Sequence, residues 1–159
     1  MAKAKGTPAS QALVKAGVPF LIETYDFVHG DSHIALQAAE AVSEPPSRVY
    51  KTLMLLIDGK PACAVIASDK ELAMKKVAAA FGGKSAEMMK PADAERITGY
   101  HVGGISPFGQ RKKVRTVISA AALDEPYVLI NGGGRGLMAK LAPADAVTAL
   151  EALTADITA

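Results

Sequence analysis

Apolar positions fall into two rhythms along this chain, and the switches between them lay out its elements. Over residues 8–16, Leu13 and Val14 mark a narrow helical face; Thr7 caps it, Pro8 takes the first helical position and Gly17 stops it. Residues 18–25 change to β-branched and aromatic side chains and predict a strand. A turn at His29-Gly30-Asp31-Ser32 follows, with Asp31 or Ser32 placed to cap a helix over residues 33–42, where Ile34, Ala38, Ala41 and Val42 keep helical spacing. Glu44-Pro45-Pro46-Ser47 ends that helix. Residues 49–58 are nearly all apolar, and Asp58-Gly59 turns the chain into a second apolar run at 62–67, which predicts a hairpin in the middle of a sheet.

Helical spacing returns over residues 71–81, with Leu72, Met74, Val77, Ala78 and Phe81 on one face and Gly82-Gly83 as the stop. A shorter helix over 91–97 opens with Pro91. Residues 114–119 and 127–131 predict strands, a glycine-rich turn at 132–136 leads into residues 137–141, and a helix over 143–153 closes the chain. Hairpins and helices alternate too irregularly for a doubly wound sheet. The expected class is α/β of the α+β type, a mixed, mostly antiparallel, curved sheet flanked by helices. No repeat or linker interrupts the 159 residues, so one domain is expected.

Composition narrows the picture only slightly. Half the residues are apolar and 21% are charged, as in an ordered globular chain. The lone cysteine, Cys63, excludes an internal disulfide. The first residues lack the apolar core of a signal peptide, and no apolar run is long enough to span a bilayer, so a cytoplasmic protein with no membrane partner is expected. A net charge of +2 does not mark a nucleic-acid binder. Arg111, Lys112, Lys113 and Arg115, however, put four cations in five positions, a candidate phosphate contact that could equally be solvated surface.

Two stretches carry candidate chemistry. From Tyr100 to Gln110 the chain holds Gly103, Gly104, Pro107 and Gly109, a loop able to aim backbone N–H groups at a phosphate or a developing oxyanion, or simply a tight turn. Lys51 is a cation in a strand whose neighbours on both faces are apolar, so its ammonium must reach a pocket mouth, an anion or water. Other signals fade on inspection. Gly83-Lys84-Ser85 ends a helix instead of opening one, and residues 132–136 lack the third glycine of a dinucleotide loop. His29, His33 and His101 have no zinc spacing, and Cys63 reads as a small buried hydrophobe.

Val49-Tyr50-Lys51-Thr52-Leu53, the run from Gly99 through Gly103, Gly104, Ser106, Pro107 and Gly109 to Lys112, and the later glycine stretch together resemble the YbaK/EbsC family of aminoacyl-tRNA deacylases, related to the editing domain of bacterial prolyl-tRNA synthetase. The likeness runs from about residue 13 to the end. It implies that family's curved or barrel-like sheet and removal of a wrongly attached amino acid from tRNA in trans, above all cysteine on tRNA(Pro) or tRNA(Cys). The substrate thiolate would attack its own ester, with no metal or cofactor. Implied partners are tRNA and, further, prolyl-tRNA synthetase.

By position, the resemblance implies that Lys51 anchors the terminal nucleotide and ester, while Gly103 and Gly104 face the ester oxygen. Tyr25, Ile34, Thr52, Ser106, Pro107, Asn131, Gly133 and Met138 would line the substrate pocket; Arg111, Lys112, Lys113 and Arg115 would meet tRNA. Ile34 stands where the subgroup has an aromatic, Asn131 where it has serine and Met138 where it has aspartate. Those departures leave open a water-using deacylase for alanine, serine or threonine, and a module that binds charged tRNA or a synthetase without turnover. The glycine loops alone would also suit a small phosphate binder.

Overall fold

The computed structural model describes residues 6–26 and 34–159. The expected caps at Asp31 and Ser32, and His29 and His33, lie outside the described residues.

Helix α1 (Pro8–Ala16) begins with a capping box: Thr7 and Ser10 exchange side-chain-to-backbone bonds, and Gly17 closes the far end in the left-handed region. Strand β1 is Leu21–Thr24, shorter than residues 18–25, because Pro19 has no N–H to give a ladder. Helix α2 is Ile34–Ala41. The hairpin of β2 (Val49–Ile57) and β3 (Lys60–Ala67) forms as the pattern demands, with Asp58 and Gly59 both at positive φ in a two-residue turn. The Asp58 carboxylate accepts the Lys84 and Ser85 N–H groups, so the Gly83-Lys84-Ser85 stretch serves this turn.

Helix α3 (Met74–Ala80) starts three residues later than the spacing suggests. It is followed by β4 (Ala86–Met88), α4 (Pro91–Thr98), β5 (Arg115–Ser119), a short 3-10 turn (Ala120–Asp124), β6 (Val128–Asn131), β7 (Leu137–Leu141), α5 (Pro143–Leu150) and β8 (Leu153–Ala155). The last helix stops before residue 153 because Glu151 takes a left-handed conformation, which frees the chain to pair.

All eight strands join one sheet in the order β1-β7-β6-β2-β3-β5-β8, with β4 also on β2. Four pairings are antiparallel and three, β2 with β6, β3 with β5 and β5 with β8, are parallel. Side-chain alternation divides β2 between two cores. Tyr50 and Met54 pack with Leu13 of α1, Ile97 of α4, Leu150 of α5 and Phe108, whereas Leu55 and Ile57 pack with Val77 and Phe81 beside α3. Val49 joins Ala38 and Ala39 of α2, Leu129 and Met138 in a third cluster. Each large side chain buried this way contributes roughly 1.5–3 kcal/mol. Among the described residues no helix is long and apolar enough to cross a membrane.

Candidate active site: a lysine at the split in the sheet

Strand β2 changes partners along one of its edges. Its first residues pair with β6 in parallel through Val49↔Leu129 and Tyr50↔Ile130; its last pair with β4 through Leu55↔Met88, Leu56↔Glu87 and Ile57↔Ala86. Between these stretches the edge lies open at Lys51–Leu53, and a cavity of about 370 Å³ is lined there by Lys51, Thr52 and Leu53 of β2, Tyr25, Met138, Asn131, Gly103 and others. That volume is in the range of small-ligand sites.

Lys51 is half-buried on the cavity wall, and its Nζ donates to the Ser68 carbonyl at 3.3 Å. Among the described residues no carboxylate lies close enough to form an ion pair with it. Burial lowers its pKa from the ordinary 10.5, while the charges of Glu71 and Asp69 pull it back up from a distance. The site therefore keeps a cation partly stripped of water beside a cavity.

Ser68 fixes the partner of that cation. It is 3% exposed, its N–H bonds Val49 O at 2.8 Å, its hydroxyl donates to Pro46 O at 3.0 Å, and its carbonyl receives Lys51. Nothing in the sequence pattern distinguishes Ser68, since its role comes from lying opposite Val49 across the hairpin. Tyr25, also on the cavity wall, has a phenol pushed upward by burial. Thr52 contributes a buried hydroxyl that has no hydrogen-bond partner among the described residues.

The two adjacent glycines of the loop are placed differently. Gly103, at φ 91°, lines the cavity together with Val102 and Ile105. Gly104 does not present a free amide: its N–H donates to His101 O at 2.8 Å and closes a turn. Its lack of a side chain has another cause, because a Cβ there would stand 2.8 Å from Arg135 N and Gly134 C. Two glycine loops thus press backbone to backbone, and Asn131 ties them together. Its Oδ1 accepts the Gly133 N–H at 2.7 Å and the Gly134 N–H at 3.2 Å, while Nδ2 reaches Gly134 O at 3.2 Å and Gly103 O at 3.4 Å. The start of α1 clamps both loops: Thr7 donates to Gly132 O at 2.6 Å, and a Cβ on Gly109 would lie 2.3 Å from Pro8 O.

Several expected site residues sit elsewhere. Ser106 is fully buried with its hydroxyl accepting the Phe108 N–H, and Pro107 faces a second cavity beside α1 and α5. Gly133 is bound to Asn131 and does not line the Lys51 cavity. Ile34 opens α2, but its side chain is outside the described residues. In the basic run, Lys113 pairs with Glu151, and Arg115 bonds Phe81 O at 3.1 Å while stacking on that ring. Arg111 and Lys112 are exposed, with no side-chain partner among the described residues. Leu53 and Val49 line the cavity as the alternation around Lys51 implies, and Leu36 and Ala38 of α2 complete its wall. Among the described residues no cluster of His, Cys, Asp and Glu could hold a metal.

The comparisons with known proteins agree with this architecture. The family model "Aminoacyl-tRNA editing domain" matches residues 29–149. The "Putative Cys-tRNA(Pro)/Cys-tRNA(Cys) deacylase EbsC" of Enterococcus faecalis is 32% identical over 154 residues, covering 96% of this chain and 93% of that protein. A "Proline--tRNA ligase" of Nitratidesulfovibrio vulgaris is 29% identical over 102 residues, 64% of this chain but only 16% of the ligase. In three dimensions, the crystal structure of a "putative trans-editing enzyme for prolyl tRNA synthetase" superposes with a TM-score of 0.82 at 19% identity over 96% of this chain and 95% of that one, a likeness of fold. With that match over most of its length, the chain belongs to the aminoacyl-tRNA editing domain family.

Proposed function

We propose that this protein removes a mischarged amino acid from the end of a tRNA in trans, with cysteine on tRNA(Pro) as its substrate, and that Lys51 anchors the reacting end. The observation that carries this reading is the Lys51 ammonium, half-buried at a cavity and, among the described residues, bonded to a single carbonyl with no carboxylate in contact. Such a charge is costly unless an anion or a polarised oxygen completes it, and a tRNA terminus brings both phosphate and ester. The similarity to the Enterococcus protein, over nearly its whole length, supports the choice of cysteine.

The lining supports chemistry carried by the substrate. Among the described residues it holds Lys51, the amide of Asn131, the hydroxyl-bearing Tyr25, Tyr50, Thr52 and Ser68, and no carboxylate, imidazole or thiol. In the substrate-assisted route the cysteine thiolate forms a bond to its own ester carbonyl carbon, the bond from that carbon to the ribose oxygen breaks, and the ribose oxygen takes up a proton. The amino acid leaves as a cyclic thiolactone. Lys51 and the Gly103 amide would hold the carbonyl oxygen as it gains charge, an effect worth about 3 kcal/mol per donor. Exposed Arg111 and Lys112 would meet phosphates farther along the tRNA.

A second reading, hydrolysis of alanyl, seryl or threonyl esters by water, draws support from Met138, 3% exposed, which gives the cavity an apolar wall. Deacylation measured across a panel of charged tRNAs, with product identification, separates the two. Thiolactone from Cys-tRNA(Pro) is expected under the first reading; free alanine, serine or threonine supports the second; binding with no turnover of any member overturns both.

A further inference from the structure

The split in the sheet leaves more than a lysine exposed to the cavity. The bond from Ser68 N–H to Val49 O sets the alternation of the β2–β3 ladder, so Val49, Lys51 and Leu53 direct their backbone groups to β3. Tyr50, Thr52 and Met54 direct theirs to the opposite edge. There, Tyr50 is paired with Ile130, and Met54 O accepts the Met89 N–H at 3.0 Å. Thr52 falls between the two partners: the β6 register ends at Tyr50 and the β4 register begins at Leu55, so among the described residues neither its N–H nor its C=O has a backbone partner. Its buried hydroxyl lacks one as well. Among the described residues, three polar groups of one central-strand residue thus lack a protein partner, and that residue lines the cavity.

We infer that the main chain of Thr52 is a substrate subsite, and that it receives the aminoacyl group as a one-residue strand inserted between β6 and β4. This inference rests on the aminoacyl-ester reading of the cavity. A strand-edge residue points its own N–H and C=O to the same side, and an α-amino acid ester offers the complementary pair, an amine to donate and a carbonyl to accept, on either side of its Cα. The Thr52 N–H donates to the ester carbonyl, and the Thr52 C=O accepts from the α-amino group. Lys51 and Gly103 line the same cavity, so the carbonyl oxygen meets a main-chain donor and a cation together. The subsite is built from backbone, so it selects the α-amino acid framework whatever the side chain. No acidic side chain is needed to hold the amine, which fits Met138 on the cavity wall.

The test replaces one atom. In Thr52→Val, and in the same chain carrying α-hydroxyisovaleric acid at position 52, the only difference is an ester oxygen in place of the N–H. Among the described residues that N–H has no partner to lose, but the ester also makes the preceding Lys51 C=O, which faces β3, a weaker acceptor, so the ester chain should unfold at a somewhat lower urea concentration while remaining folded in buffer. The ester chain should lose ~10- to 100-fold in kcat/KM for Cys-tRNA(Pro). Equal kcat/KM overturns the inference. A second measurement covers a chain that does not fold: hydrogen exchange at the Thr52 amide of the unaltered protein, with and without 3′-deoxy-3′-(L-cysteinylamino)adenosine, whose amide resists cleavage. Slowing by ~10-fold or more on binding is expected from a newly bonded amide, and no slowing overturns the inference. Failure of the unaltered protein to deacylate any charged tRNA would sink the functional reading instead, and the exchange result would still decide the subsite.

Discussion

Two half-buried lysines on nearby strands of one sheet are treated in opposite ways. Lys140 of β7 stands 3.7 Å from Glu23 and 3.8 Å from Glu44, with its ammonium 4.1 Å from the centre of the Tyr127 ring. Two carboxylates and a ring face answer its charge, and Glu44 is held further by the Tyr127 hydroxyl at 2.9 Å. Among the described residues, Lys51 of β2 has a single carbonyl partner, a cavity beside it, and the acidic groups Glu71 and Asp69 acting from a distance. A neutralised cation is part of the scaffold; one left incomplete is available to a ligand.

The contrast breaks most sharply by truncation. Lys51→Ala should lower kcat/KM for Cys-tRNA(Pro) by about 10²- to 10³-fold, roughly 3–4 kcal/mol of transition-state stabilisation, with little change in unfolding midpoint. Lys140→Met should do the reverse, leaving deacylation close to that of the unaltered chain and costing about 1–2 kcal/mol in urea unfolding, since Glu44 loses its cation. Comparable activity losses in the two variants would erase the distinction. Gly104→Ala is expected to cost about 1–3 kcal/mol, because the added methyl meets the backbone of Gly134 and Arg135 and two loops must part. The smallest effect belongs to Lys112→Ala, which should reduce the salt slope of tRNA binding by about one and leave turnover of bound substrate unchanged.

Titration sharpens the same contrast. Burial lowers the Lys51 pKa below 10.5, so the folded chain holds that proton less firmly than the unfolded chain does. Between the lowered value and 10.5, rising pH therefore adds stability through Lys51 while removing the charge on which the proposed activity rests. The alkaline limb of kcat/KM should lie below 10.5 and disappear in Lys51→Arg, whose guanidinium stays charged, even though that variant is slower overall. A limb at the same pH in both would assign it to another group. Tyr50 and Tyr100, both pushed up to about 12 by burial, act oppositely on stability: their contribution is complete below pH 10 and is lost above it, as the unfolded phenols ionise first.

The sequence made the centre of the fold legible because its signals there are local. Asp58-Gly59 between two apolar runs defines the β2–β3 hairpin, and Thr7-Pro8 with Gly17 brackets α1. Strands β4 and β8 escaped, being three residues each and formed by pairing with distant partners, Leu55–Ile57 and Val117–Ser119. Lys51 stood out since a cation in an apolar strand needs an explanation that is visible in one dimension. The roles of Gly104 and Asn131 did not, because what excludes a side chain at 104 is the backbone of residues 134 and 135, and what employs Asn131 is the gap between two loops. The open edge at Thr52 was equally hidden, since it depends on where two other strands stop.

The central claim, that Lys51 is left incomplete so that the tRNA end can complete it, is tested most directly by NMR titration of its Nζ, free and with a hydrolysis-resistant cysteinyl amide of the terminal cytidylyl-adenosine. The account predicts a Lys51 pKa below 10.5 in the free protein that rises on binding. A bound ligand that leaves the Lys51 titration where it was would contradict it.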